Sequence, residues 1–151
     1  MSKNQITTKN PEETEEFAKI LLEEWFEMNK KKNSNWLICL SGDLGGGKTV
    51  FTQGLAKGLG VNGIVNSPTF LIMKKYNSSK KANKKYNLYH FDCYRISSYK
   101  EILDLGFPEI ISGENNIIVI EWPEKIEKIL PKNRLNLNFK FVDENTRKIS
   151  F

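Results

Sequence analysis

The chain has 151 residues, 39% of them hydrophobic and 27% charged, enough for one folded domain spanning 1–151 with a real core. Its net charge of +5 rests on twenty lysines against three arginines, in a sequence rich in Lys, Asn and Ile throughout. No apolar run approaches about 18 residues, the N-terminal Met-Ser-Lys-Asn-Gln lacks the apolar core of a signal peptide, and two cysteines without C-x-x-C spacing suggest neither a disulfide framework nor a zinc site. These features predict a cytoplasmic protein with no membrane segment.

In chain order, Gln5-Ile-Thr-Thr8 reads as a short edge strand. Asn10-Pro11-Glu12-Glu13 is a helix start: Asn10 caps, Pro11 suits the first helical position, and Glu13 reaches back as in a capping box. Phe17, Ile20, Leu21, Trp25 and Met28 recur at helical spacing and predict one apolar stripe. Lys30-Lys31-Lys32 follows at the end that favours positive charge. This run and the lysines between 74 and 85 read as solvated surface rather than a nucleic-acid site, because only Tyr76 and Tyr86 offer stacking surface.

Asn35-Trp-Leu-Ile-Cys-Leu-Ser41 has strand length and is followed by Gly42-Asp-Leu-Gly-Gly-Gly-Lys48-Thr49, which fits G-x-x-x-x-G-K-[ST]. A helix is expected from Val50 to Leu59. Strand, glycine loop, helix is the setting of a P-loop. Gly42, Gly45, Gly46 and Gly47 let backbone N–H groups turn toward phosphate oxygens, Lys48 adds positive charge, and the Thr49 hydroxyl is a ligand for Mg²⁺.

Two strands, 70–76 and 85–91, flank a lysine-rich connection at 77–84 and predict a hairpin. A short helix is expected over 97–105, stopped at Gly106, with another turn beginning near Pro108. Asn116-Ile-Ile-Val-Ile-Glu121 is an apolar strand ending in an acid. A short helix over 123–130 and two paired strands, 134–141 and 146–151, complete the chain. The elements predict an α/β, P-loop NTPase-like mixed sheet with a parallel core, antiparallel additions and flanking helices.

Glu121 fits a Walker-B-like role at Mg²⁺, with Trp122 beside it read as packing. Asp92, sharing a strand face with His90 and Tyr94, either orients an attacking water or holds a magnesium-bound water, or else pairs with an arginine to hold a loop. His90, the only histidine, reads as a structural hydrogen-bonding group. Thr69 after Pro68 has the position of a switch threonine. The absence of Asn-Lys-x-Asp favours ATP/ADP over guanine nucleotides, and three arginines are too few for the lid of a small-metabolite kinase.

With Ser67-Pro-Thr-Phe70, His90-Phe-Asp-Cys-Tyr-Arg95 and Ile120-Glu-Trp-Pro123 following the P-loop in order, the chain resembles the TsaE family along nearly its whole length. The resemblance implies a weak ATPase of tRNA threonylcarbamoyladenosine modification that binds a TsaD–TsaB pair and resets it through ATP hydrolysis, meeting tRNA only through that complex. It assigns catalysis to Asp92, Glu121 and Thr69, nucleotide contacts to the P-loop, to the Val50 N–H and to Arg147, and magnesium to Thr49 and Glu121. Val50 and Cys93 depart mildly from the family pattern. The alternative function is a nucleotide-sensing assembly module in which hydrolysis is incidental.

Overall fold

The computed structural model describes residues 4–79 and 84–151. The N-terminal Met-Ser-Lys and the middle of the 77–84 connection lie outside the described residues. Strands β1 (Gln5–Thr8), β2 (Trp36–Gly42), β3 (Met73–Asn77), β4 (Asn87–Asp92), β5 (Asn116–Glu121), β6 (Leu135–Phe141) and β7 (Arg147–Ser150) form one sheet in the order β1-β7-β6-β2-β5-β4-β3. The four central strands, β6, β2, β5 and β4, run parallel, while β3, β7 and β1 are antiparallel additions. Helices α1 (Pro11–Met28) and α2 (Lys48–Gly58) belong with the core on one face. On the other lie α3 (Lys100–Leu103), α4 (Phe107–Ser112) and a 3₁₀ segment, Pro123–Ile129. The expected mixed sheet is thus borne out. No helix among the described residues is long and apolar enough to cross a membrane.

Asn10 caps α1, its Oδ1 accepting the Glu13 N–H at 2.8 Å, while the Glu13 carboxylate accepts the N–H of Lys9 at 2.7 Å. The pair satisfies two donors at the helix start. The buried stripe differs from the expected one. Thr14, Phe17, Ala18, Leu22 and Phe26 face inward, Leu21 and Trp25 flank them, and Ile20 and Met28 are 50% and 78% exposed. Helix–helix contact sets this rotation. A Cβ on Gly54 of α2 would meet the Glu15 carbonyl oxygen at 2.6 Å and Ala18 Cβ at 2.9 Å. The two helices pack closely through that glycine, which turns Ala18 inward and Ile20 outward.

The strand expected from Phe70 begins only at Met73. Pro68 carbonyl oxygen accepts the N–H groups of Leu71 and Ile72 at 3.0 and 2.7 Å, closing a turn in which Ile72 has φ +65°. A β-branched residue rarely adopts that conformation, so the surroundings hold it there. The expected 97–105 helix is confined to Lys100–Leu103, with the Glu101 carboxylate accepting the Ser97 and Ser98 N–H groups. The segment after β5 is 3₁₀ rather than α, interrupted at Ile126. Cys39 and Cys93 are buried free thiols, both pushed up to about 12 chiefly by burial.

Candidate functional site

Parallel pairing aligns three chain segments at one end of the sheet. Leu40 of β2 is in register with Glu121 of β5, and Glu121 with Asp92 of β4. The loop after β2 therefore stands beside both carboxylates, beyond the carboxyl ends of the strands, where open α/β sheets place ligands. A cavity of about 420 Å³ opens there. It is lined by Gly45, Gly46, Gly47, Lys48, Thr49, Val50, Thr69, Asp92, Glu121 and Arg147, together with residues that sequence reasoning had not assigned.

Gly42 is the one assigned residue outside that lining. Its φ is +118°, and a Cβ there would lie 2.0 Å from the Phe139 carbonyl oxygen. Gly42 is glycine because β2 leaves the sheet against β6 at this point. Its carbonyl accepts a 2.9 Å bond from Lys48 Nζ, so it steadies the lysine. Gly47, at φ +97°, caps α2, and the first helical bond runs from Phe51 N–H to the Gly47 carbonyl. The N–H groups of Gly47, Lys48, Thr49 and Val50 precede that bond and have no intrahelical acceptor, which makes the loop an anion cradle at the positive end of the helix dipole.

Lys48 is 5% exposed and its Nζ lies 4.0 Å from the centroid of the Trp122 ring. Burial holds its pKa below the ordinary lysine value, against the opposing pull of Glu121, Glu124, Asp92 and Asp43. Trp122, read from sequence as packing, also walls the cavity. It sits at φ +59°, directly after Glu121, with its ring 5.0 Å from that of Tyr94.

Thr49 Oγ1 and Glu121 Oε1 are 3.4 Å apart, and the same Oε1 is 2.9 Å from His90 Nε2. Two side-chain oxygens thus converge beside the open N–H groups of the loop. Among the described residues no cluster of three or more His, Cys, Asp or Glu is gathered as a metal site. The donor set suits Mg²⁺, which binds through one or two protein oxygens and completes its shell with water and phosphate. The residues present therefore fit a phosphate chain carrying a divalent cation.

Asp92 is 4% exposed and holds three donors. Its Oδ2 accepts the Ser67 and Thr69 hydroxyls at 2.7 and 2.9 Å, and its Oδ1 accepts the Tyr94 N–H at 3.0 Å. Its described partners are these hydroxyls and this amide; an Asp92–Arg95 ion pair is absent among the described residues. The Arg95 guanidinium instead lies 4.8 Å from the Phe70 ring centroid. Asp92 thus pins the 67–69 segment against the cavity. Sequence reasoning missed Ser67, Tyr94 and Arg95 as cavity residues, although all three stand inside the motifs it had singled out. Arg147 donates through Nε to the Gly45 carbonyl at 2.8 Å and through Nη1 to the Asp143 and Thr146 carbonyls, bracing the loop from β7.

A glycine loop between a strand and a helix, on a parallel-cored sheet with an acid ending the neighbouring strand, defines a P-loop NTPase-like α/β protein. Known proteins narrow the class. The family model for "Threonylcarbamoyl adenosine biosynthesis protein TsaE" matches residues 8–149. The chain is 40% identical over 144 residues to the tRNA threonylcarbamoyladenosine biosynthesis protein TsaE of Bacillus subtilis (strain 168), covering 95% of this chain and 82% of that one. It is 39% identical over 142 residues to the protein of the same name from Rickettsia prowazekii (strain Madrid E), covering 93% and 89%. The crystal structure of YdiB from Bacillus subtilis superposes with a TM-score of 0.68 at 33% identity, over 100% of this chain and 86% of that one. The chain belongs to the TsaE family, which serves tRNA threonylcarbamoyladenosine biosynthesis.

Proposed function

We propose that the protein is a cytoplasmic, Mg²⁺-dependent ATPase that binds a TsaD–TsaB pair and resets it between rounds of tRNA threonylcarbamoyladenosine formation. The observation that carries this reading is the convergence, in one cavity, of the open N–H groups of the P-loop, Lys48, the Thr49–Glu121 oxygen pair and the Asp92-held Thr69.

Hydrolysis breaks the bond between the γ-phosphorus and the bridging oxygen as a water oxygen bonds to that phosphorus; ADP leaves with the bridging oxygen, and the inorganic phosphate released carries the hydrogens of the water. Such transfer asks a protein for positioning and charge rather than covalent chemistry. Lys48 and the loop N–H groups hold the phosphate chain, with Val50 contributing its backbone N–H. Thr49 and Glu121 would hold Mg²⁺, which would supply positive charge against the phosphate oxygens. Asp92 holds Thr69 and Ser67 at the cavity wall, where a hydroxyl orients the attacking water. Arg147 keeps the Gly45 end of the loop in place.

The partner reading is supported by the cavity rim. Leu44, Phe70 and Leu71 are 66%, 85% and 67% exposed, on or beside the P-loop and the 67–69 segment. Large exposed side chains grouped at a functional opening suit a protein surface that closes over it. The test is ATP turnover measured with and without Mg²⁺ and with and without TsaD–TsaB. Turnover that requires Mg²⁺ and rises with the pair is expected; no stimulation by the pair would overturn the partner reading.

A further inference from the structure

Among the described residues the His90 side chain makes one hydrogen bond, and it goes to Glu121. The β4–β5 register sets His90 beside Val119 and Asp92 beside Glu121, so His90 and Glu121 are diagonal neighbours on one sheet face. The imidazole is fully buried, with Nε2 2.9 Å from Glu121 Oε1. Its Nδ1 is buried and has no partner among the described residues.

A buried ring with one nitrogen left unsatisfied is costly, and an aliphatic side chain would fill the same space without that cost. The ring's own hydrogen bonding therefore does not account for it; its effect on Glu121 does. Facing a carboxylate oxygen, Nε2 carries the hydrogen and Nδ1 keeps its lone pair, the cheaper group to leave unpaired. Oε1 then receives His90 and, more weakly, the Thr49 hydroxyl, while Oε2 accepts no hydrogen bond among the described residues. The bond fixes the carboxylate plane, and with it the direction in which both Glu121 oxygens face.

We infer that His90 is a positioning residue that orients Glu121 for the divalent cation. The inference rests on the magnesium–nucleotide reading above. Partners of this kind typically change metal affinity by about 10- to 100-fold when removed.

The test is binding of a fluorescent ADP analogue, in EDTA and across a MgCl₂ series, to the wild type and to His90→Leu, His90→Asn and His90→Gln. The Mg²⁺ midpoint is expected to rise about 10- to 100-fold in the Leu and Asn variants, with Mg²⁺-free affinity within a few-fold of wild type. Gln, whose amide nitrogen reaches the place of Nε2, should restore most of the loss; Asn is too short. An unchanged midpoint in the Leu and Asn variants would overturn the role. If the Leu variant fails to fold, the Asn-against-Gln contrast decides, and equal midpoints there count against His90. Wild-type binding that ignores Mg²⁺ altogether would overturn the magnesium reading and this inference with it, a result distinct from a failure of His90 alone.

Discussion

The Thr69 hydroxyl donates to Asp92 Oδ2 at 2.9 Å, with Ser67 donating to the same oxygen at 2.7 Å. One carboxylate at the end of β4 therefore holds a segment that lies more than twenty residues earlier in the chain. Asp92→Asn places an amide where an acceptor of two hydroxyls stood. Nucleotide affinity is expected to stay within several-fold of wild type, while turnover falls by about 100-fold or more. The lost charge-assisted bonds should lower stability by about 1–3 kcal/mol. Turnover and equilibrium binding on the same preparations separate the two effects; equal losses in both would reject the role.

Gly42 and Gly45 belong to one motif but answer to different forces. Added at Gly42, a Cβ would lie 2.0 Å from the Phe139 carbonyl oxygen, whereas at Gly45 it would meet nothing within 4 Å. Gly42→Ala must push β2 and β6 apart and should cost more than about 3 kcal/mol. Gly45→Ala carries only the strain of its positive φ, about 1 kcal/mol. Urea unfolding of the two variants beside wild type measures the difference; similar midpoints would contradict the close approach.

What the chain disclosed in advance was local. Strand, glycine loop and helix around Lys48 follow one another in sequence, and the Asn10 cap is spelled by its own residues, so both were readable. The rotation of α1 was not, because Ile20 and Met28 have the spacing of a stripe, and only the close approach of Gly54 decides that Ala18 and Leu22 face inward. The 70–72 turn escaped for a similar reason. Leu71 and Ile72 are apolar residues that extend a strand pattern, yet the preceding residues are held by hydroxyl bonds that Ser67 and Thr69 donate to a distant aspartate. The His90–Glu121 bond depends on β4 lying beside β5, which neither strand's sequence states.

Trp122 should report directly on the cavity. Lys48 Nζ lies 4.0 Å from its ring centroid, while Trp25 and Trp36 stack on each other at 5.4 Å, Trp36 opening β2 at the end away from the loop. Phosphate drawing Lys48 from the ring changes the field on that indole alone. A nucleotide-dependent change in intrinsic fluorescence is expected in the wild type and should vanish in Trp122→Phe. A full response surviving in that variant would place the signal elsewhere.

The buried thiols set an alkaline limit on stability. Burial pushes Cys39 up to about 12 from an ordinary 9.0, so the unfolded chain loses this proton first as pH rises. Between those values the folded state binds more protons, and stability falls with increasing pH through the window. The contribution is fully present below about 9 and is lost progressively as pH rises from there toward about 12. Urea midpoints from neutral to alkaline pH should decline less steeply in Cys39→Ala than in wild type. Thiol-reactive reagents should label Cys39 only after unfolding, and rapid labelling of the native protein at neutral pH would contradict its burial.

A substitution at Leu71 tests the proposed partner binding apart from the proposed hydrolysis. It is 67% exposed, stands two residues beyond Thr69, and lies outside the cavity lining. Its N–H, not its side chain, makes the turn bond to Pro68. Leu71→Asp therefore leaves the fold and the phosphate cradle intact but places a charge in an apolar rim, where desolvation on docking is unfavourable. Basal ATP turnover should match wild type, while the TsaD–TsaB concentration giving half-maximal stimulation should rise about 10-fold or more, the effect of roughly 1.4 kcal/mol or more at the interface. Leu71→Met, which keeps the apolar surface, should behave as wild type. Unchanged stimulation of the Asp variant would move the docking surface away from this rim, and a loss of basal turnover would mean that Leu71 shapes the cavity itself.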